Sequence, residues 1–144
     1  MLYARIDLTK TDYNVLENGI LLDPVPAIEL QEIYRKYCIH KKFKSVMPIF
    51  DSEFFDPKND VIGYYDQSKL VAFSLLRRYD SSNVEALQFA WDYQNPRLRL
   101  GIESLKSECA FYKKLGYHYL YLGEADEYKR KIDAFEILGP IAAS

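Results

Sequence analysis

The feature that most constrains the fold of this chain is a change of hydrophobic period between its middle and its last third. Three segments between residues 61 and 93 alternate apolar and polar side chains, and two short polar turns separate them. Alternation with period two is typical of strands, and short polar turns join antiparallel neighbours. The pattern predicts an antiparallel meander of three strands, Val61–Tyr65, Leu70–Tyr79 and Val84–Tyr93. On the third strand it predicts one face with Leu87, Phe89, Trp91 and Tyr93 and an opposite face with Ala86 and Ala90.

A helical segment follows the meander. Apolar residues recur at helical spacing over Gly101–Leu115, and Gly116 supplies a stop signal. Tyr117–Gly123 then alternates as a further strand. A strand–helix–strand crossover normally places its two strands parallel in one sheet, with the helix on a face of that sheet. The sequence therefore predicts a mixed sheet in an α+β domain.

The remaining segments predict shorter elements around this centre. Leu2–Leu8 is predicted as a first strand, and Asn18-Gly19 within Asn14–Leu22 is a hairpin signal, since both residues accept the positive φ of a type I′ turn. Pro26 marks the start of a helix. The other predictions are an irregular segment at Phe50–Pro57, a helical turn at Glu127–Ile132 and a last strand at Ala134–Ile137.

Size and composition are those of one globular domain. The 144 residues, 49% hydrophobic and 28% charged, fit a single domain over residues 1–144, and a net charge of −2 argues against a general polyanion binder. No apolar run reaches membrane-spanning length and no signal peptide is readable, so we expect a cytoplasmic protein without membrane contact. Cys38 and Cys109 are expected to be buried free thiols. His40 and His118 lack partners at zinc-ligand spacing, so no metal is expected.

Four short motifs in the last third of the chain carry a family resemblance. They are Asp92-Tyr93-Gln94-Asn95-Pro96, Leu100-Gly101 at a helix start, Tyr119-Leu120-Tyr121-Leu122-Gly123 and Tyr128-Lys129. With the element order, they resemble the GNAT superfamily of N-acyltransferases, and most of all the C-terminal GNAT-like domain of arginyl-tRNA–protein transferases. A weaker likeness runs to peptidyltransferases of the Fem type. The resemblance implies a GNAT-like mixed sheet with an antiparallel meander, a crossover helix, a parallel strand pair and helices on both faces.

The chain departs from the family pattern at the turn into the crossover helix. Ordinary GNAT acetyltransferases carry the motif R/Q-x-x-G-x-G/A at this turn. Gly101 fits the first glycine, but Leu98 stands in place of Arg or Gln, and Glu103 stands in place of the second small residue. The fold is therefore better supported by the sequence than any particular acyl donor.

The resemblance implies an acyl carrier in a V-shaped gap between the third meander strand and Tyr117–Gly123. The helix that follows the third meander strand would offer its first amides, at Gly101 and Ile102, to a carrier phosphate. A helix N-terminus has unpaired N–H groups and the positive end of the helix dipole. The candidates for additional positive charge are Arg97, Arg99 and Lys129. The alternatives are a glycine required by close packing, a solvated loop for the two arginines and a surface lysine.

Three residues are candidates for catalysis by the same resemblance. Tyr128 stands where many GNAT enzymes place a tyrosine that protonates the leaving group, and a phenol with a pKa of about 10 suits that role. Asp92 and Glu124 lie near the ends of the two strands that flank the gap, so either could accept a proton from the attacking amine. The alternatives are a packing tyrosine and solvated carboxylates at strand ends.

Two functions of different classes follow. The first is an N-acyltransferase that moves an acyl or aminoacyl group to an amine, either a peptide N-terminus or a small amine. Its donor would be an acyl-CoA, such as acetyl-CoA, or an aminoacyl-tRNA, which would make tRNA a partner. The second is a catalytically inactive GNAT-shaped binding or dimerisation module. A homodimer is compatible with both.

Overall fold

One mixed sheet organises the residues described by this computed structural model, which are 3–42, 48–92, 100–124 and 133–139. Its seven strands in these residues are β1 (Tyr3–Asp7), β2 (Gly19–Leu21), β3 (Asn59–Asp66), β4 (Lys69–Arg78), β5 (Asn83–Trp91), β6 (Tyr119–Glu124) and β7 (Phe135–Gly139). The helices are α1 (Ala27–Lys41), α2 (Asp51–Phe55) and α3 (Leu100–Lys114), with a short 3-10 turn at Leu8–Lys10. The predicted turn at Glu127–Ile132 lies outside the described residues.

The strands follow the order β2-β3-β4-β5-β6-β1-β7. Strands β3, β4 and β5 form the predicted antiparallel meander, and α3 leads from β5 to β6, which pair in parallel as the crossover predicts. Strand β1 lies between β6 and β7 and is antiparallel to both. This last arrangement is non-local, because it joins the start of the chain to two strands that lie more than 100 residues later.

Helices cover both faces of the sheet, as predicted. On one face, α3 packs its Leu105, Cys109 and Tyr112 against residues of β1, β3, β4 and β6. On the other face, α1 and α2 pack against β3, β4 and β5, with Leu30 and Phe54 in the core. Both cysteines are free and buried. None of the helices in the described residues is long and apolar enough to cross a membrane.

Local signals at the two long helices explain where they begin and end. Pro26 is the N-cap of α1, and Lys42 ends it in the left-handed region at φ 55°, donating its backbone N–H to the carbonyls of Cys38 and Ile39. Gly116 follows α3 at φ 92°, a conformation that glycine adopts without steric cost.

Two local predictions are wrong. The segment around Asn18-Gly19 does not form its own hairpin, because β2 pairs with β3 and the Asn18 side chain donates to the Tyr65 carbonyl. The turn signal implied that the residues before Asn18 would pair with β2, but β2 pairs with the edge of β3 instead. The segment Phe50–Pro57 is not irregular, since it contains α2; Phe54 is buried, and the prolines lie outside the helix rather than within it.

Candidate functional site

The parallel pair β5–β6 is joined over only a short stretch. Its register contains three pairs, Asn83 with Tyr119, Val84 with Leu120 and Glu85 with Tyr121. Strand β5 continues for six residues to Trp91, and β6 continues to Glu124. Within the described residues, these continuations are not paired with each other. The two parallel neighbours therefore part after Glu85 and Tyr121, at the place where the family resemblance implies a gap.

A bulge lies on each strand just beyond the last pair. The register of β5 against β4 shifts so that Leu87 is the extra residue, and the register of β6 against β1 shifts so that Leu122 is the extra residue. A bulge bends its strand and increases the local twist. Two bulges at the same level of neighbouring strands give a physical reason why these strands separate.

The bulge at Leu87 also corrects the predicted faces of β5. Alternation places Ala86 and Ala90 on one face, but Ala86 packs with the α3 core and Ala90 belongs to the α1 core. Phe89 packs against the α3 core, whereas Leu87, predicted on the same face, is outside that core and 38% exposed. One inserted residue shifts the alternation by one position, and the sequence pattern does not reveal such an insertion.

The backbone of β5 faces β4 and the gap alternately. The Asp92 N–H donates to the Val71 carbonyl of β4 at 2.7 Å. Gln88 lies opposite Leu75 and Phe89 opposite Ser74 in the same register. In an antiparallel pair, the N–H and C=O groups of alternate residues point toward the partner and away from it. Gln88 therefore directs its backbone groups to β4, whereas Phe89 directs its own groups toward the gap.

The first turn of α3 lies at the end of the sheet where the strands part. The Tyr64 hydroxyl lies 3.3 Å from the Ser104 carbonyl oxygen. Tyr64 pairs with Ala72 of β4, and Ala72 pairs with Trp91 at the end of β5. Apart from its chain neighbours and the backbone of its own helix, a Cβ added to Gly101 would meet no atom within 4 Å, so close packing does not explain this glycine. Gly101 therefore leaves open space, in the first turn of α3, on the side where a Cβ would stand.

Asp92, a predicted proton acceptor, lies at the end of β5 and forms an ion pair with a helix. Its carboxylate accepts from the Lys36 ammonium of α1 at 3.0 Å. Trp91, the preceding residue, contacts the last turns of α1, with the His40 ring 5.0 Å and the Tyr37 ring 6.1 Å from its own. The C-terminal part of α1 therefore covers one side of the mouth.

The other predicted site residues divide into two groups. Gly101 and Ile102 are in the first turn of α3, and Glu124 is the last residue of β6, where its backbone pairs with Tyr3. Asp92, Gly101, Ile102 and the backbone of Glu124 belong to segments that end or begin at the mouth. The predicted Arg97, Arg99, Tyr128 and Lys129 lie outside the described residues.

Arg5 forms a cluster beside the gap that sequence reasoning missed. Its guanidinium lies 3.9 Å from the centre of the Tyr119 ring and donates to Glu136 at 2.8 Å and to the Tyr121 hydroxyl at 3.4 Å. Ala4 and Ile6 on either side of Arg5 pack with α3, so Arg5 lies on the opposite face. The cluster joins β6, β1 and β7, and only the non-local position of β1 brings it together.

A buried polar network lies between α3 and the strands β3 and β4. The Glu108 carboxyl group accepts from the Tyr64 hydroxyl and from Ser74 Oγ, the latter at 2.8 Å. Burial raises the pKa of Glu108 to about 7, and burial together with the neighbouring Glu108 raises the pKa of Tyr64 well above its ordinary value. A signal for this network exists in the sequence: Glu108 is three residues after Leu105 and four before Tyr112, on the apolar face of α3.

The comparisons with solved structures agree with this architecture. The C-terminal DUF2156 domain of a putative lysylphosphatidylglycerol synthetase from Agrobacterium fabrum superposes with a TM-score of 0.67 at 17% identity, covering 86% of this chain and 46% of its own. N-myristoyltransferase of Saccharomyces cerevisiae with bound myristoyl-CoA gives 0.63 at 11% identity, covering 93% and 46%. A GCN5-related N-acetyltransferase from Kribbella flavida gives 0.54 at 15% identity, covering 94% and 52%.

The chain has a GNAT-like α+β fold, and its structural neighbours include acyltransferases of this fold. It spans about half the length of these neighbours. No model of a known protein family matches the sequence, and no curated protein matches it.

Proposed function

We propose that the chain is a GNAT-type N-acyltransferase domain that moves an acyl or aminoacyl group from a carrier to an amine. The observation that carries this proposal is the loss of pairing between the parallel strands β5 and β6 after Glu85 and Tyr121, with a bulge on each strand at that level. Where the pair has parted, alternate residues of β5 direct their backbone groups away from β4 and offer them to a ligand in the plane of the sheet.

The residues present fit an acyl carrier with a phosphate group. Phe89 directs backbone groups toward the gap, and Gly101, in the first turn of α3, has open space where a Cβ would stand. Amides at a helix N-terminus bind anions. In the proposal, Gly101 and Ile102 hold a carrier phosphate, and Arg97, Arg99 and Lys129 add positive charge. The Saccharomyces neighbour is a structure with bound myristoyl-CoA, which favours acyl-CoA as the donor, and the sequence motifs favour aminoacyl-tRNA, so both donors belong in the test.

The transfer itself needs two proton movements. The amine nitrogen forms a bond to the acyl carbon while the bond from that carbon to the carrier sulfur or oxygen breaks. Asp92 or Glu124 accepts the proton of the attacking amine, directly or through water, and Tyr128 donates a proton to the leaving group. The acceptor in this proposal is a peptide N-terminus or a small amine in the cytoplasm. An aminoacyl-tRNA–protein transferase-like activity is the form of the proposal that the sequence motifs favour.

A second candidate is a catalytically inactive GNAT-shaped binding or dimerisation module. It is favoured by Glu103, which stands in the first turn of α3 where the family motif has a small residue. Its carboxylate is 3.8 Å from the Lys106 ammonium, and this partly exposed ion pair offsets the charge of Glu103 only in part. An anion in the first turn stabilises the helix without a ligand and opposes the approach of a phosphate.

Calorimetric titration with acetyl-CoA, myristoyl-CoA and an aminoacyl-tRNA tests the proposal. We expect saturable binding of at least one donor, followed by transfer to an amine in a panel of peptides and small amines. Uncharged tRNA and a second salt concentration serve as controls, because non-specific tRNA binding weakens steeply with salt. Binding without transfer would favour the inactive module, and the absence of binding by every donor would overturn the acyltransferase proposal.

A further inference from the structure

The Gln88 side chain makes an unusual local contact at the edge of the gap. Its carboxamide Nε2 donates to the backbone carbonyl of the next residue, Phe89, at 2.8 Å. Gln88 follows the extra residue of the bulge, Leu87, in the part of β5 that has no described pairing with β6. The contact is therefore made where a neighbouring strand would otherwise pair with β5.

The alternation of β5 shows what this contact does. The Phe89 carbonyl points toward the gap, because Asp92 and Gln88 direct their backbone groups to β4 and Phe89 is out of phase with both. The Gln88 side chain lies on the α1 face, since it is opposite Leu75, which belongs to the α1 core. The carboxamide thus reaches from the α1 face around the edge of β5 to the carbonyl that faces the gap.

A glutamine carboxamide has the same N–H donor as a backbone amide. We propose that Gln88 is a displaceable cap, which occupies the Phe89 carbonyl in the empty site and leaves it when an acyl carrier binds along β5. This inference rests on the proposed function. It makes Gln88 a residue that sets donor affinity, because the carrier has to break an existing hydrogen bond and supply its own N–H or O–H donor to the same carbonyl.

A cap and an ordinary contact residue differ in how donor affinity changes when the side chain is removed. A side chain that contacts the donor strengthens binding, so its removal weakens binding. A cap competes with the donor, so its removal strengthens binding. The net value of one protein hydrogen bond corresponds to about two- to tenfold in a dissociation constant, and we expect Gln88→Met and Gln88→Ala to bind the donor tighter by that factor.

The experiment compares four proteins by calorimetry with the acyl-CoA or aminoacyl-tRNA that gives the strongest heat. Gln88→Met keeps the side-chain volume and removes the donor, whereas Gln88→Ala also removes volume. Gln31→Met is the matched control, because Gln31 also donates to a backbone carbonyl, that of Ile49, which lies just before α2. Thermal unfolding of each variant checks that the protein is folded.

Tighter binding by both Gln88 variants, with unchanged binding by Gln31→Met, supports the cap. Weaker or equal binding by Gln88→Met overturns it, and tighter binding by Gln88→Ala alone would attribute the effect to volume and also overturn it. Equal binding by all four proteins refutes the role of Gln88 and leaves the acyltransferase proposal in place. If none of the four binds any donor, the proposed function fails and the cap fails with it.

Discussion

The Tyr64 hydroxyl donates a hydrogen bond to the Glu108 carboxyl group beneath α3. Ser74 Oγ donates to the same carboxyl oxygen. Removal from water disfavours the carboxylate, and it raises the pKa of Glu108 from 4.5 to about 7 although both hydroxyl donors lower it. A group that holds α3 against β3 and β4 therefore changes charge near neutral pH in the folded protein.

We expect the free energy of unfolding to decrease as the pH rises from 5 to 8. The folded protein binds the Glu108 proton more tightly than the unfolded chain, because the pKa is about 7 in the first and near 4.5 in the second. The stabilising contribution is complete below pH 4.5 and is lost as the pH rises through 7. The pKa difference between the folded and unfolded states corresponds to a contribution of about 3 kcal/mol at most to the free energy of unfolding. Urea unfolding at pH 5, 6, 7 and 8 measures it.

Two variants on α3 distinguish the contribution of Glu108 to this pH dependence from the contributions of other groups. In Glu108→Gln the decrease between pH 5 and pH 8 should disappear. In Glu103→Gln it should persist, because the Glu103 side chain is 40% exposed. A slope that survives in Glu108→Gln would assign the pH dependence to another group.

The ion pair of Arg5 with Glu136 should couple the edge strand β7 to β1. The guanidinium also lies over the Tyr119 ring, so it is held in place from two sides. Because the pair is partly exposed, we expect a coupling of about 0.5–1 kcal/mol between the two side chains. A double-mutant cycle with Arg5→Gln and Glu136→Gln, followed by urea unfolding, measures this coupling. Additive effects of the two substitutions would show that the pair does not stabilise the sheet.

Arg5→Lys distinguishes charge from shape at the same position. Lysine keeps the positive charge but has neither the planar fork nor the stacking surface of arginine. If charge alone holds β7, the lysine variant should match the original stability, whereas a loss close to that of Arg5→Gln would point to the stacked geometry.

Local patterns predicted the meander, the crossover helix α3 and the parallel partner strand correctly, because each depends on side-chain period and on nearby turn residues. The position of β1 between β6 and β7 depends on pairing over more than 100 residues. Local period carries no information about such a pairing. The cluster around Arg5 follows from that position and could not be predicted without it.

The gap itself was predictable only in part. The crossover predicts that β5 and β6 are neighbours, but their separation follows from bulges at Leu87 and Leu122, each of which is one residue without a composition signal. The hydrogen bond from the Gln88 side chain to the Phe89 carbonyl lies just after the first bulge. The contact of Asp92 with Lys36 likewise depends on how α1 lies on the sheet, which the helical period of α1 does not determine.

Gly101 tests the anion site at the start of α3. The space beside it accepts a side chain, so Gly101→Asp and its isostere Gly101→Asn should both fold. Relative to Asn, Asp should stabilise the empty helix by about 0.3–1 kcal/mol, since it is an anion at a helix N-terminus. It should bind a phosphate-bearing donor about three- to tenfold more weakly, because like charges repel at short range.

Relative to Gly101→Asn, Gly101→Asp should raise the stability of the empty protein and lower its affinity for the donor, so the two measurements should change in opposite directions. Thermal unfolding gives the stability difference, and calorimetry with acetyl-CoA gives the affinity difference. Equal donor affinity of the Asp and Asn variants would place the carrier phosphate away from the first turn of α3, whatever their stabilities.

Asp92 is proposed as a proton acceptor, and its ion pair with Lys36 suggests a competing role as an anchor for α1. The two roles predict different values of kcat when Asp92 or Lys36 is replaced. If Asp92 accepts the amine proton, Asp92→Asn should lower kcat by about 10²-fold or more, because a general base contributes on that scale. Lys36→Gln breaks the same ion pair but leaves the carboxylate, so kcat should fall far less. Acyl transfer rates measured over pH 6–9 at saturating donor compare the variants. Equal losses in both would mean that Asp92 acts only by holding α1 at the mouth of the gap, and Glu124 would then be the remaining candidate for the base.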